Sequence, residues 1–199
     1  MVLINENHFL YNGYMWIDVI KNYKPINEQE STDKELILDA YKQYGDKLLT
    51  REVPYYHLTS SSMILNKDHT KVLMVYHNIY NSWSWTGGHN DGDPNFKEVA
   101  IREAKEETGV SNLELLKEDV ASIELIQVVR HKKKGKYVAP HIHMNVSYLL
   151  ETSETEKLQV KEDENKGVMW IPIKELDSYI SKNDEDMLYV YHKLLKDYE

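Results

Sequence analysis

The chain has 199 residues, a formal net charge of −9 and no cysteine, with 41% hydrophobic and 29% charged residues. This length fits one large domain or a domain with added helices, and the acidic balance disfavours nucleic acid and anionic lipid as partners. Lack of cysteine removes disulfides, thiolate metal sites and cysteine nucleophiles together, in keeping with a reducing cytoplasm. The opening MVLINENHFLYNG has neither a basic start nor a long apolar core, so a signal peptide is not expected. No apolar run approaches the ~20 residues that span a bilayer. A cytoplasmic protein without a membrane partner is expected, and its acidic excess favours a cationic ligand or an anionic one that arrives with metal ions.

Residues 1–50 read as helical. Lys34–Leu49 sets Leu36, Ile37, Ala40, Tyr41, Tyr44 and Leu48 at helical spacing, and Asn22–Asp33, with Pro25, reads as the turn before it. From Pro54 the pattern changes. Ser62–Leu65 and Lys71–Tyr76 flank the turn-like NKDHT and predict a hairpin. A glycine-led loop, GGHNDGD, then feeds a helix predicted over Pro94–Thr108, with Asp93 as N-cap, Pro94 in the first turn and Gly109 as the stop. Ser122–Val129 and His141–Leu150 read as strands around the basic turn HKKKGK, and Val168–Ile171 as a short strand closed by Pro172. Asp184–Tyr198 is an amphipathic helix. Helices before, within and after a set of strands predict an α+β architecture. The expected division is a helical extension over 1–53 and a main domain over 54–199.

The helix after the glycines gathers carboxylates where a solvated face would not put them. At 100° per residue from Glu103, Phe96 falls at about 20°, Val99 at about 320°, Ala100 at about 60°, Glu106 at about 300° and Glu107 at about 40°. The three glutamates thus continue an apolar stripe, while Glu98, Arg102 and Lys105 share another side. Crowded, desolvated carboxylates require a counter-charge. A divalent cation of the Mg²⁺ or Mn²⁺ type supplies it, and so does an ion-paired structural arrangement; geometry leaves both open. Gly87, Gly88 and Gly92 permit close backbone approach to a ligand or a positive φ, and a glycine loop at a helix N-terminus presents N–H groups to an anion.

The segment Gly88–Val110 resembles the Nudix box, G-x5-E-x7-R-E-U-x-E-E-x-G-U with U a bulky apolar residue. Gly88, Arg102, Glu103, Glu106, Glu107, Gly109 and Val110 are in register; Pro94 replaces the first glutamate, and Ala104 is smaller than usual. KVLMVY and VMWIPIKEL also look Nudix-like, and the resemblance covers about residues 57–180. It implies a Nudix-type α/β/α sandwich with a mixed sheet, here with an N-terminal helical arm and a C-terminal helix. It further implies metal-assisted attack of water on the diphosphate of a small nucleotide-like substrate. Under it Glu106 and Glu107 are the main metal ligands, joined by the Gly87 carbonyl, and Glu103 is a further ligand or the general base. Arg102 is structural. With the usual glutamate missing at Pro94, Asp93 or Glu98 takes over its pairing, and Asp91 adds a carboxylate in the loop.

On the strand HIHMNVSYLL, His141, His143, Asn145 and Ser147 share one face and Ile142, Met144 and Val146 the other. The polar face either meets water or lines the active cleft. In the second case His141 and His143, joined by His89, bind substrate phosphate or a metal. Arg130–Lys136 reads as a solvated hairpin tip or as a guide for a polyanionic substrate. Trp83 and Trp85 stack on a base or pack in the core; Glu162 and Glu164 are alternative general bases or surface acids. A non-catalytic Nudix-like nucleotide sensor is the competing function, opposed by the intact glutamate triplet. An isopentenyl diphosphate isomerase is disfavoured by the absence of cysteine, and RNA decapping by the net charge. A homodimer through the helical arm and C-terminal helix is a further expectation.

Overall fold

The computed structural model describes residues 10–11, 14–133 and 135–198. The reading of the first residues as free of a signal peptide therefore lies outside the described residues, as does Lys134 of the basic cluster. In chain order the elements are β1 (Leu10–Tyr11), β2 (Tyr14–Met15), α1 (Trp16–Asn22), α2 (Glu28–Tyr44), β3 (Tyr56–Asn66), β4 (Lys71–His77), β5 (Ser82–Ser84) and β6 (Thr86–His89). There follow α3 (Phe96–Thr108), β7 (Glu114–Leu115), β8 (Ser122–Val128), β9 (His131–Lys133), β10 (Lys136–Val138), β11 (His141–Thr152), β12 (Asn165–Pro172), α4 (Leu176–Tyr179) and α5 (Glu185–Leu195). Eight strands form one sheet in the order β12-β4-β3-β11-β7, with β5 on β4, β6 on β3 and β8 on β11. The expected α+β class stands. None of the described helices is long and apolar enough to cross a membrane.

Contacts divide the chain into two compact units, one of residues 1–59, 89–96 and 123–145, the other of 60–88, 97–122 and 146–199. The first is built on the helical arm. Here the expected turn over Asn22–Asp33 is too long: α2 begins at Glu28, because the Asn27 side chain accepts the Glu30 N–H at 2.9 Å. Glu30 is fully buried, and its carboxylate takes the Tyr23 hydroxyl at 2.6 Å and the Ile26 N–H at 2.9 Å. The helix stops at Tyr44, so Leu48 reaches the core from a 3-10 turn (Gly45–Leu49) instead, and Leu36 is exposed. Trp16, Ile17, Ile20 and Ile37 fill this core, with the Trp16 indole N–H on Asp46 at 2.7 Å and its ring edge-on to Tyr41. The basic turn carries its own antiparallel ribbon, β9 on β10.

The second unit holds β4, β5, β7, β12 and nearly all of α3. The expected hairpin is present as β3 and β4, with Ile64 opposite Leu73 and Leu65 opposite Val72. Strand β12 flanks β4 from Asn165 to Pro172. Ile64, Leu73, Ala104, Val110 and Leu150 form a buried cluster with Ile101, Leu158, Val168 and Trp170 against it. The small residue at Ala104 is therefore where α3 meets the sheet. Helix α5, shorter than the expected Asp184–Tyr198, buries Tyr191 against Trp85, with ring centroids 5.5 Å apart. Trp85 thus has a packing role. Strands β5, β6 and β7 escape the sequence pattern because each is four residues or fewer and rich in Ser, Gly or Glu.

Candidate active site

Helix α3 opens at Phe96, two residues past the expected Pro94. The Asp93 carboxylate accepts the Asn95 N–H at 2.9 Å, so Asp93 and Pro94 belong to the approach to the helix rather than its first turn. Gly109 ends it as expected, with φ of 76° and its N–H on the Lys105 carbonyl at 2.9 Å.

The three glutamates sit at graded depth. Glu107 is 3% exposed, the Glu103 side chain 15% and the Glu106 side chain 47%. The inward stripe thus holds for Glu107 and Glu103, whereas Glu106 stands at its wet margin. Glu107 accepts the Gly87 N–H at 3.0 Å and the Asn165 side-chain amide at 3.4 Å. Burial nevertheless pushes its carboxyl up to about 8, against those two donors. Glu103 is raised as well, by burial and then by the neighbouring Glu106. Glu106 has a partner that sequence reasoning missed: Lys161 lies 3.1 Å from it and 3.0 Å from Glu164. Although burial works against its charge, these two carboxylates hold the Lys161 ammonium above its ordinary value. Arg102 lies 3.8 Å from Glu103 and 4.0 Å from Glu106.

The glycines that lead the box are not in a loop. Gly87, Gly88 and His89 belong to β6, and the two glycines are needed for closeness to the protein itself. A Cβ on Gly88 would fall 2.7 Å from Glu103 Cγ, and one on Gly87 would fall 2.9 Å from the Ser60 carbonyl. The strand can therefore lie against the glutamate side of α3 only without side chains at these positions. Asn165, the second missed residue, starts β12; a polar residue ahead of VMWI was the available signal. Its Oδ1 is buried with no hydrogen-bond partner beside Glu107. A buried carboxylate and an amide oxygen, neither with a cationic or hydrogen-bonding partner of its own among the described residues beyond those named, and two further carboxylates on the same helix side fit a hard divalent cation by charge and donor type. Glu106, occupied by Lys161, would have to be released to such an ion.

A second cluster lies wholly in the first unit. His89 Nε2 is 3.1 Å from His57 Nε2, and His141 Nε2 is 3.2 Å from His143 Nε2. His57, on β3, was missed by sequence reasoning, being a single residue far in sequence from the HxH pair. Burial lowers His57 to about 4 and His89 to about 3, and puts His143 well below its usual value, with neighbouring histidines and Arg51 adding to the effect. Asp91, expected as a loop carboxylate for the box, is instead clasped by Arg51 through two bonds of 2.7 and 2.6 Å. The polar face of β11 is closed to water at Asn145 and Ser147, which are fully buried, and partly open at His141 and His143. Asn145 accepts the Thr59 hydroxyl at 2.9 Å and donates to Glu124 at 3.1 Å, and Ser147 donates to the Ser122 carbonyl at 3.2 Å.

A family model described as NUDIX domain matches residues 56–194. Among solved structures, the chain is similar to a hydrolase of the NUDIX family from Clostridium perfringens, with 24% identity, 72% of this chain and 98% of that one covered, and a TM-score of 0.51. It is also similar to a C. elegans Ap4A hydrolase in a binary complex, with 20% identity, coverage of 68% and 93%, and a TM-score of 0.50. At these identities the likeness carries the fold, which is the one the box implied. No curated protein matches the sequence.

Proposed function

Because the chain belongs to the NUDIX domain family, we propose that it is a Mg²⁺- or Mn²⁺-dependent hydrolase of a diphosphate linkage in a small nucleotide-like substrate. Glu103, Glu106 and Glu107 are its catalytic and metal-holding carboxylates, with the Gly87 carbonyl as a further ligand. The observation that carries this reading is Glu107: a carboxylate 3% exposed, anchored by the Gly87 N–H, with no lysine or arginine among the described residues paired to it. Keeping such a group ionised is costly unless an external cation offsets it.

When bound, the cation would neutralise phosphate oxygens and lower the pKa of water. The remaining work falls to the chain. Gly87 and Asn165 fix the Glu107 carboxylate in one orientation. Glu103, held high by burial and by Glu106, is suited to take a proton from the attacking water. The water oxygen forms a new P–O bond, the bridging P–O bond breaks, and the departing phosphate leaves with the electron pair. Arg102, beside Glu103 and Glu106, limits repulsion between them. Lys161 competes for Glu106 and sets how readily that carboxylate is released.

The ion pair between Lys161 and Glu106 also favours a second reading, a nucleotide-binding module of Nudix type that does not turn its ligand over. A panel of nucleoside triphosphates, dinucleoside polyphosphates, ADP-ribose, nucleotide sugars and coenzymes, assayed for phosphate release with Mg²⁺ or Mn²⁺, separates the two. Metal-dependent turnover of at least one member is expected. Binding without turnover across the panel would replace the hydrolase by the sensor.

A further inference from the structure

The histidines at positions 57, 89, 141 and 143 take no part in the carboxylate chemistry above, yet the fold brings them together from three strands. Ring nitrogens of His57, His89 and His143 lie within 4.8 Å of one another; among the described residues this is the set of three His, Asp or Glu side chains that converges so closely. The rings are not stacked as a packed apolar cluster would be. Interplanar angles are 38° for His57–His89, 53° for His57–His143 and 84° for His89–His143, so the three planes differ while one nitrogen of each stays within reach of the others. Around a tetrahedral ion with metal–nitrogen bonds of about 2.0–2.1 Å, ligand nitrogens stand roughly 3.4 Å apart. The 3.1 Å between the Nε2 atoms of His57 and His89 is already near that spacing. The widest separation needs one imidazole to turn inward by a modest side-chain rotation.

We propose that His57, His89 and His143 form a binding site for a borderline transition-metal ion of the Zn²⁺ type, built from different residues and a different donor chemistry than the glutamates of α3.

Three observations support it. The Nδ1 of His57 is buried, with the Val53 carbonyl as the backbone acceptor near this ring, the kind of partner that orients a ligating imidazole. His141 Nδ1 is 2.8 Å from the Ala139 carbonyl, which places its proton there and leaves Nε2 with a lone pair beside His143, the arrangement of a supporting imidazole. Finally, His57, His89 and His143 are partly or fully shielded from water, a setting that favours an imidazole offering a lone pair over one carrying a charge. An anion would find little here, since Arg51 is already clasped by Asp91. Neutral imidazole suits Zn²⁺, Ni²⁺ or Cu²⁺ and not the hard, oxygen-seeking Mg²⁺.

The test is a Zn²⁺ titration of the untagged 199-residue protein, stripped with chelator and held in excess Mg²⁺ to occupy the carboxylates, read by competition with a chromophoric chelator. Stoichiometric binding of one Zn²⁺ is expected, and Co²⁺ in its place should give the visible absorption of a tetrahedral nitrogen site. His89→Ala and His143→Ala should each weaken binding by at least about 10-fold, and His141→Ala by less. His192→Ala, on α5, should leave it unchanged. Circular dichroism checks folding; if His143→Ala does not fold, His57→Gln takes its place. Absence of stoichiometric binding by the folded wild type overturns the proposal, as does affinity retained in every histidine variant. Binding that survives His89→Ala but is lost in Glu106→Gln places the ion on the carboxylates and overturns it equally.

Discussion

Helix α3 and the cluster around His57 both withdraw titratable groups from water, but they leave opposite debts. On α3, burial raises Glu107 and Glu103, so ionising them calls for more positive charge than Arg102 and Lys161 bring. Around His57, burial lowers the rings, so the site keeps neutral donors and needs no counter-ion to be stable. The first arrangement suits a hard cation held by charge, the second a softer cation held by lone pairs. One physical term, desolvation, thus prepares two sites of different selectivity because it acts on groups whose charged forms have opposite sign.

The sharpest way to break this contrast is Glu107→Gln. It keeps shape and hydrogen bonds to Gly87 but removes the charge, and turnover on whichever substrate the panel identifies should fall by about 10²-fold or more, read as kcat/KM. A wild-type rate would mean that α3 is merely structural. Next comes Gly88→Ala, whose methyl would meet the Glu103 side chain; urea unfolding should show a loss of about 1–3 kcal/mol. Pairing it with Glu103→Ala should recover part of that loss, and strict additivity would show that the strand and the glutamate are not coupled.

On the histidine side, Asn145→Ala breaks the buried link between Thr59 and Glu124 and should cost about 1–3 kcal/mol in the same assay. A neutral result would mean that water replaces the amide. The smallest change is expected from Lys161→Met. Its partner Glu106 is half exposed, so stability should move by no more than about 1 kcal/mol. The Mg²⁺ concentration for half-maximal turnover should nevertheless fall, because Glu106 no longer has a competing cation. An unchanged metal requirement would remove Lys161 from the account.

The box was legible because its determinants are local. REAKEETG states a helix, its stop and its acids within a single run, and the periodicity placed Glu103 and Glu107 inward from sequence alone. What was hidden depended on distant chain. Lys161 and Asn165 reach the glutamates from a segment more than fifty residues on, and although Asn165 stands just ahead of VMWI, nothing in KEDENKG says that it and Lys161 turn toward α3. His57 is similar, one imidazole on a strand that otherwise reads Tyr-Leu-Thr-Ser. The glycines misled for another reason: GGHNDGD has a loop's composition, yet Thr86–His89 is a strand, since close packing against Ser60, Ser61 and Glu103 demands glycine there. Asn27 shows the cost of ignoring a cap, because that single side chain moved the start of α2 well ahead of its apolar pattern.

The buried polar face of β11 has a consequence for how the strand can err during folding. An apolar strand can slide along its neighbours and still find other apolar surface. A shift of one residue in β11 would turn Asn145 and Ser147 to the opposite face and bring Met144 and Val146 in their place. Thr59 and Glu124 would then face methyl groups, and each lost bond would leave a desolvated group behind. Two buried polar residues therefore act as an error check on strand alignment, and the positions of His141 and His143 are set by the same check.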